Sequence, residues 1–401
     1  MSIETAQNSS AFPSVSQAAP VPMLDLKRQY AGIKDEIEEA VARVLASQHF
    51  IGGPEVAAFE RESAAYVGVR ACVGCASGTD ALWLALQACG LGAESGVLTA
   101  PFSFFASVST IVRCGAVPVL ADIDPATLNL DPEKVEAALK RHRKIAAIVP
   151  VHLYGQCADM DRLNGIAQEH GVAIVEDAAQ TFGAAWNGKK AGGLGRAGCF
   201  SFYPTKNLSA GGDAGCVTTD DEALASQVRR LGNHGSDRRY YHREIGWNSR
   251  LDAMQAAILR VKLKHLDDWN QRRRVLACRY HGLLGAAGLV QPQAQSVTRQ
   301  APIALLTSLP GAHHIYHQFV VRALNRDALR TFLSERGIGT EVYYPLPLHL
   351  QECFLYLGYR AGDLPESERA AREVLALPMF AELREEEQQR VVAAIAEFYS
   401  R

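Results

Sequence analysis

Five short apolar runs are each followed at once by side chains able to do chemistry. Ser77-Gly78-Thr79 follows ACVGCA and opens a helical pattern; Phe102-Ser103-Phe104 follows GVLTAP; Tyr154-Gly155 follows AAIVPVHL. Asp177-Ala178-Ala179-Gln180 follows VAIVE, and Tyr203-Pro204-Thr205-Lys206 follows GCFSF. Taken singly, each is ordinary: a helix N-cap with a turn glycine, a turn-capping aspartate, a solvated lysine, a core phenylalanine. Taken together they form a chemical set. The first turn of a helix offers unpaired N–H groups and the positive end of its dipole, so Ser77, Gly78 and Thr79 suit a phosphate. Phe104 suits a flat ring, Asp177 would keep a ring nitrogen protonated, and Lys206 can form a Schiff base with an aldehyde. Phosphate, pyridinium and aldehyde are the parts of pyridoxal 5′-phosphate, a cofactor that needs a lysine and an acidic partner for its ring nitrogen.

Ligands of open parallel α/β sheets bind beyond the carboxyl ends of the strands, so the scaffold must bring these five ends to one edge. The chain has the pattern for it. From residue 71, near-continuous apolar strands alternate with helical segments such as DALWLALQAC, DPEKVEAALKRH and DMDRLNGIAQEH, which predicts a mainly parallel mixed sheet covered on both faces. Two helices precede it, the second opening with Pro54. Beyond it, SRLDAMQAAILRVKLKHLDDWNQRRRVLACRYHGLL reads as a long bridging helix, and GLVQPQAQSVTRQAPIALLTSLPGAHH as an aperiodic loop excursion. YHQFVVRAL, RDALRTFLSERG, GTEVYYPLPLH and EEEQQRVVAAIAEFYS make a smaller α+β unit. The expected division is a flexible tail over 1–22, a large α/β domain over 23–264, and a bridging helix with the small C-terminal domain over 265–401.

The whole-chain arithmetic removes several other functions. With 401 residues and 48% hydrophobic content the chain can bury a large core without disulfide or metal staples. Lys and Arg number 41 against 43 Asp and Glu, and this balance argues against nucleic acid or an anionic membrane as the main partner. Nine cysteines without a repeating spacing, and an N-terminus with neither basic nor apolar signal regions, read as a cytoplasmic protein with free thiols. No apolar run approaches the roughly 18 residues of a membrane span. Cys72 and Cys75 have zinc-knuckle spacing but no second pair, and ACVGCA reads as a buried strand, so no metal is expected. Gly193-Leu194-Gly195-Arg196-Ala197-Gly198 matches GxGxxG, yet it follows a polar turn and leads into a strand, the reverse of a dinucleotide fingerprint.

SGTDAL, PFSFFAS, PVHLYGQ, VEDAAQTFGA, FSFYPTKNLSAGGDAG and GWNSRLDAMQAA occur in that order, and the chain so far resembles the DegT/DnrJ/EryC1/StrS family of pyridoxal-phosphate-dependent nucleotide-sugar aminotransferases. The likeness is strong over about residues 22–285 and continues more weakly through GIGTEVYYPLPLHLQ to the last helix. It implies an aspartate-aminotransferase-type fold (fold type I) and a homodimer with shared active sites. By motif, Lys206 would bond the cofactor aldehyde, Asp177 would face the pyridine nitrogen, and Gln180 would sit against the ring. Gly78, Thr79 and Ser201 would hold the phosphate, Phe104 would stack on the ring, and Asn248 would reach the phosphate of the neighbouring subunit's cofactor. Retention of Lys206, where some members carry histidine and dehydrate, favours transamination. Tyr343-Tyr344-Pro345 stands where many members have histidine before Tyr-Pro.

The implied substrates are L-glutamate and a nucleotide-linked keto-sugar. GWNSRLD followed by QAAILRVKLKHLDDWN looks more like members that aminate C-3 than those that act at C-4, which is the alternative. Tyr154, Arg250, Tyr343 and His349 are candidate substrate residues; Arg250 offers a planar donor fork to a carboxylate or diphosphate, or else a salt bridge to Asp252 or another carboxylate. A non-catalytic, cofactor-binding regulator of the same fold is a further alternative.

Overall fold

A computed structural model of the chain describes residues 19–142, 144–291 and 296–401. Seven strands form the central sheet: β1 (Ala71–Cys75), β2 (Gly96–Thr99), β3 (Val117–Leu120), β4 (Ile145–Val149), β5 (Ala173–Asp177), β6 (Ala197–Ser201) and β7 (Gly215–Thr219). Their order is β1-β7-β6-β5-β4-β2-β3, and β7 alone runs antiparallel to its neighbours. β2 and β7 are buried along their whole length, as strands covered on both faces must be.

The covering helices begin where the sequence supplies caps. α1 (Leu26–Ser47) starts at Asp25 and α2 (Gly53–Val67) carries Pro54 in its first turn. α3 (Gly78–Ala88) starts at Ser77, and α4 (Ala106–Arg113) follows β2. α5 (Pro132–Arg141) starts at Asp131, α6 (Met160–His170) runs from Asp159 to Gly171 in the left-handed conformation, and α7 (Glu222–Gly232) starts at Asp221. In α3 every residue from Ala81 to Leu86 is buried, because that helix is enclosed between the sheet and its helical neighbours α4 and α7.

The expected single bridging helix is two. α8 (Ala253–Leu263) closes with Lys264 and His265 donating to Val261 and Lys262, and α9 (Leu266–Ala286) starts afresh. The C-terminal sheet orders β8 (Ile303–Leu305), β9 (Phe319–Ala323) and β10 (Val374–Leu377), all antiparallel, with α10 (Arg326–Glu335), α11 (Pro365–Glu373) and α12 (Glu385–Tyr399). β8 lies inside the stretch read as a loop excursion, and β10 was not expected at all. Of the expected tail, residues 1–18 fall outside the described residues, but Val21 at its end is fully buried, donating to Gly337 and accepting from Gly339 at 2.8 Å each. Those last residues are a strand-like tie onto the C-terminal unit. None of the nine cysteines is paired, and no helix among the described residues is long and apolar enough to cross a membrane.

Candidate active site

β5 carries two carboxylates in succession with opposite tasks. Glu176 points away from the cavity and is fully buried. It accepts from the backbone N–H of Gly192, Leu194 and Gly195 at 2.7 Å each and meets His152 Nε2 at 3.0 Å. Ala158 N–H donates to His152 Nδ1 at 3.1 Å, which places the ring proton on Nε2, toward Glu176. The GxGxxG look-alike is therefore a cradle for a buried carboxylate that pins the end of β5. Its next residue is Asp177.

Asp177 is 5% exposed and faces the cavity. Ser107 Oγ donates to its Oδ2 at 2.6 Å, Ser103 Oγ lies 2.7 Å from Ser107 Oγ, and Ala179 N–H reaches Oδ1 at 3.3 Å. Burial pushes the carboxyl above its usual range, while the Ser107 hydroxyl, the Ala179 N–H and the Lys206 charge pull it down. Lys206 sits in the turn after β6, where its N–H donates to Tyr203 O at 2.8 Å and Ala210 N–H returns to Phe202 O at 2.7 Å. Desolvation lowers its ammonium to about 8, the Asp177 charge acting the other way. A buried acid and a lysine poised near neutrality thus face one cavity of about 560 Å³.

The opposite end of that cavity is the N-terminus of α3. Asp80 N–H donates to Ser77 Oγ at 3.1 Å and Ala81 N–H to Ser77 O at 2.9 Å, while the N–H groups of Gly78 and Thr79, at the very start of the helix, have no acceptor among the described residues. A Cβ on Gly78 would lie 2.5 Å from Ser201 Cβ, and one on Gly215 would lie 2.4 Å from the Ser77 carbonyl carbon, so both glycines let the helix end press against β6 and β7. Ser77, Gly78, Thr79 and Ser201 line the cavity together. Hydroxyls, free N–H groups and a helix dipole in a cradle that a methyl group would fill match a phosphate, and the buried aspartate and lysine match a ring nitrogen and an aldehyde. These residues fit pyridoxal 5′-phosphate.

The aromatic wall comes from both parts of the chain. Phe104 is 58% exposed toward the cavity, and its ring lies 6.2 Å from Tyr344. Gln180 accepts from Tyr154 N–H at 2.6 Å and donates to Tyr344 Oη at 3.2 Å. Tyr343 also lines the cavity.

Other candidates lie elsewhere. Tyr154 is fully buried in the left-handed region, its N–H spent on Gln180 and its hydroxyl on Tyr343 O, so it supports the wall rather than lining it. His349, proposed for the sugar site, is completely buried, with Nε2 3.2 Å from Glu368 Oε1; it packs the segment 346–364 and does not reach the cavity. Arg250 is exposed, lines a separate cleft, and donates to Asn233 Oδ1 at 2.8 Å rather than pairing with Asp252. Asn248 is exposed and outside the cavity of its own chain. Sequence reasoning gave no role to Ser107, Tyr344, His317 or Gln318, and named Ser103 only within a strand-end run. Ser107, four residues after Ser103, carried a usable signal; the others come from far down the chain.

A doubly covered, mostly parallel sheet whose strand ends gather this phosphate cradle, acid and lysine defines an aminotransferase that works with pyridoxal phosphate. The chain belongs to the DegT/DnrJ/EryC1/StrS aminotransferase family, whose profile matches residues 31–396. It is 50% identical over 382 residues to a pleiotropic regulatory protein of Geobacillus stearothermophilus, covering 94% of this chain and 98% of that one. It is 41% identical over 381 residues to the UDP-N-acetyl-3-dehydro-alpha-D-glucosamine 3-aminotransferase of Acidithiobacillus ferrooxidans, covering 95% and 98%. The solved structure of S. venezuelae DesV in complex with a ketimine intermediate superposes with a TM-score of 0.90 at 42% identity, covering 96% of this chain and all of that one.

Proposed function

We propose that this chain moves an amino group from L-glutamate to C-3 of a nucleotide-linked 3-keto sugar, as a cytoplasmic homodimer. The observation that carries the reading is the Lys206 amine, lowered to about 8 and facing Asp177 in one cavity with the phosphate cradle. When bound, the cofactor supplies an electron sink for the carbon that loses or gains a proton. Asp177 holds a proton on the ring nitrogen. Lys206 Nζ would take the proton from Cα of glutamate in the first half-reaction and deliver one to C-3 of the sugar in the second; the amino group would stay with the cofactor between the two, water supplying the carbonyl oxygen of 2-oxoglutarate and the keto oxygen of the sugar leaving as water. Ser77, Gly78, Thr79 and Ser201 hold the phosphate, Phe104 and Gln180 hold the ring, and Tyr343 lies on the substrate side.

The relative from A. ferrooxidans, named for 3-amination, supports C-3 over C-4. Asn248 and Arg250, exposed and outside their own chain's cavity, are free to reach a second subunit's site, with Asn248 on its phosphate and Arg250 on an anionic part of the substrate. The relative named as a regulatory protein favours a second reading, cofactor binding without turnover; the presence of both Lys206 and Asp177 in this cavity supports catalysis over it. The test offers glutamate with a panel of 3-keto and 4-keto nucleotide sugars. Equal amounts of 2-oxoglutarate and 3-amino sugar are expected; amination at C-4 alone overturns the regiochemistry, and no 2-oxoglutarate with any sugar establishes the regulatory reading.

A further inference from the structure

His317 lines the same cavity as Lys206, 7% exposed, and has no part in the reaction as described. Its ring is fixed by amides rather than by an acid. Asn207, the residue after the lysine, donates Nδ2–H to Asn270 Oδ1 at 2.7 Å and to Ile315 O at 3.4 Å, so its Oδ1 is an acceptor. His317 Nδ1 lies 3.1 Å from that oxygen and must carry the ring proton. Nε2 keeps its lone pair, and no group among the described residues hydrogen-bonds to it. Arg273 fixes the backbone, donating to the carbonyls of Tyr316 and His317 at 3.2 Å and of Met379 at 3.0 Å. Asn270 and Arg273 are three apart on α9, so one helix face holds both the neighbour of the lysine and the histidine. Burial, with the positive charges of Lys206 and Arg273, keeps the imidazole neutral.

We propose that His317 is a positioning residue for Lys206: its Nε2 accepts an N–H from the free Lys206 amine and sets the direction in which that amine swings between the cofactor and the substrate carbon. A carboxylate in this place would trap the ammonium. A neutral acceptor holds the amine yet lets it lose a proton near neutral pH. The inference rests on Lys206 being the amine that moves protons.

The test titrates Lys206 in the full chain loaded with pyridoxamine 5′-phosphate, which leaves the lysine free, by competitive acetic anhydride labelling across pH with mass spectrometry of its peptide. Removing a neutral acceptor weakens the ammonium, so His317→Leu lowers the midpoint by about half a unit to one unit. His317→Gln, which restores a carbonyl acceptor, brings it back. In turnover the leucine variant loses kcat with KM little changed. His317→Met, which fills the ring's space, is the same test should the leucine variant not fold. A midpoint unmoved in a folded, cofactor-loaded variant overturns the proposal. That result is distinct from failure of the underlying reading, which would appear as continued transamination by Lys206→Ala.

Discussion

Replacing Ser107 by alanine removes the main support of Asp177, the acid proposed to face the ring nitrogen. Its hydroxyl donates to Asp177 Oδ2 at 2.6 Å, and both residues are buried. Without it, the only other protein donor to this carboxylate among the described residues is the Ala179 N–H at 3.3 Å. A hydrogen bond to a charged group is worth about 1.5–3 kcal/mol, so a bond that helps keep Asp177 ionised converts to roughly a 10- to 100-fold loss in kcat/KM. The sign follows from the environment. Burial already raises the Asp177 carboxyl and the serine opposes that rise, so the variant's carboxyl sits higher still. The active, ionised form then appears at higher pH, and the acidic limb of the rate profile moves upward. The assay is steady-state kcat/KM across pH, with cofactor affinity measured by titrating cofactor-stripped protein. Ser103→Ala is the control: Ser103 lies 2.7 Å from Ser107 Oγ but makes no hydrogen bond to Asp177 among the described residues, and its loss costs about threefold or less. A Ser107→Ala protein within about twofold of wild type, with an unmoved acidic limb, would refute this role for the serine.

Three further outcomes follow from the geometry. Gly78→Ala puts a methyl group 2.5 Å from Ser201 Cβ, so it costs about 1–3 kcal/mol in urea unfolding and weakens phosphate-dependent cofactor binding more than it weakens binding of pyridoxal itself. Lys206 in the cofactor-free protein is lowered from 10.5 to about 8, so the unfolded chain holds the extra proton between those values and stability rises with pH through that window. Lys206→Met therefore stabilises the cofactor-free protein at pH 7 by on the order of 3 kcal/mol, a gain that disappears above about pH 10.5, as denaturant unfolding at both pH values would show. Glu176→Gln removes the charge that holds three backbone N–H groups and His152, and should cost about 3–5 kcal/mol in the same measurement.

The strand ends were legible because a parallel sheet repeats one local pattern, an apolar run followed by a turn, and places every such turn on one edge. That is why Ser77 to Thr79, Phe104, Asp177, Gln180 and Lys206 could be grouped before any coordinates. What failed to show depends on contacts between distant parts of the chain. His349 looks like a ligand in sequence and is a buried partner of Glu368. Tyr154 looks like a substrate residue in sequence, yet it is buried and donates its N–H to Gln180. The Gly193–Gly198 run receives Glu176, a purpose that requires knowing that β5 and β6 are neighbours. β10 escaped because VLAL, four residues between two helical patterns, carries no period of its own. His317 is set by α9 and by the residue after the lysine, which no local pattern links.

The central claim is that the Lys206 amine carries protons between the cofactor and both substrates. Lys206→Ala, loaded with pyridoxal phosphate and given glutamate and a 3-keto nucleotide sugar, tests it directly by product analysis. The account predicts that the cofactor still binds while neither 2-oxoglutarate nor 3-amino sugar forms beyond the rate without enzyme. Turnover by that variant near the wild-type rate would contradict it.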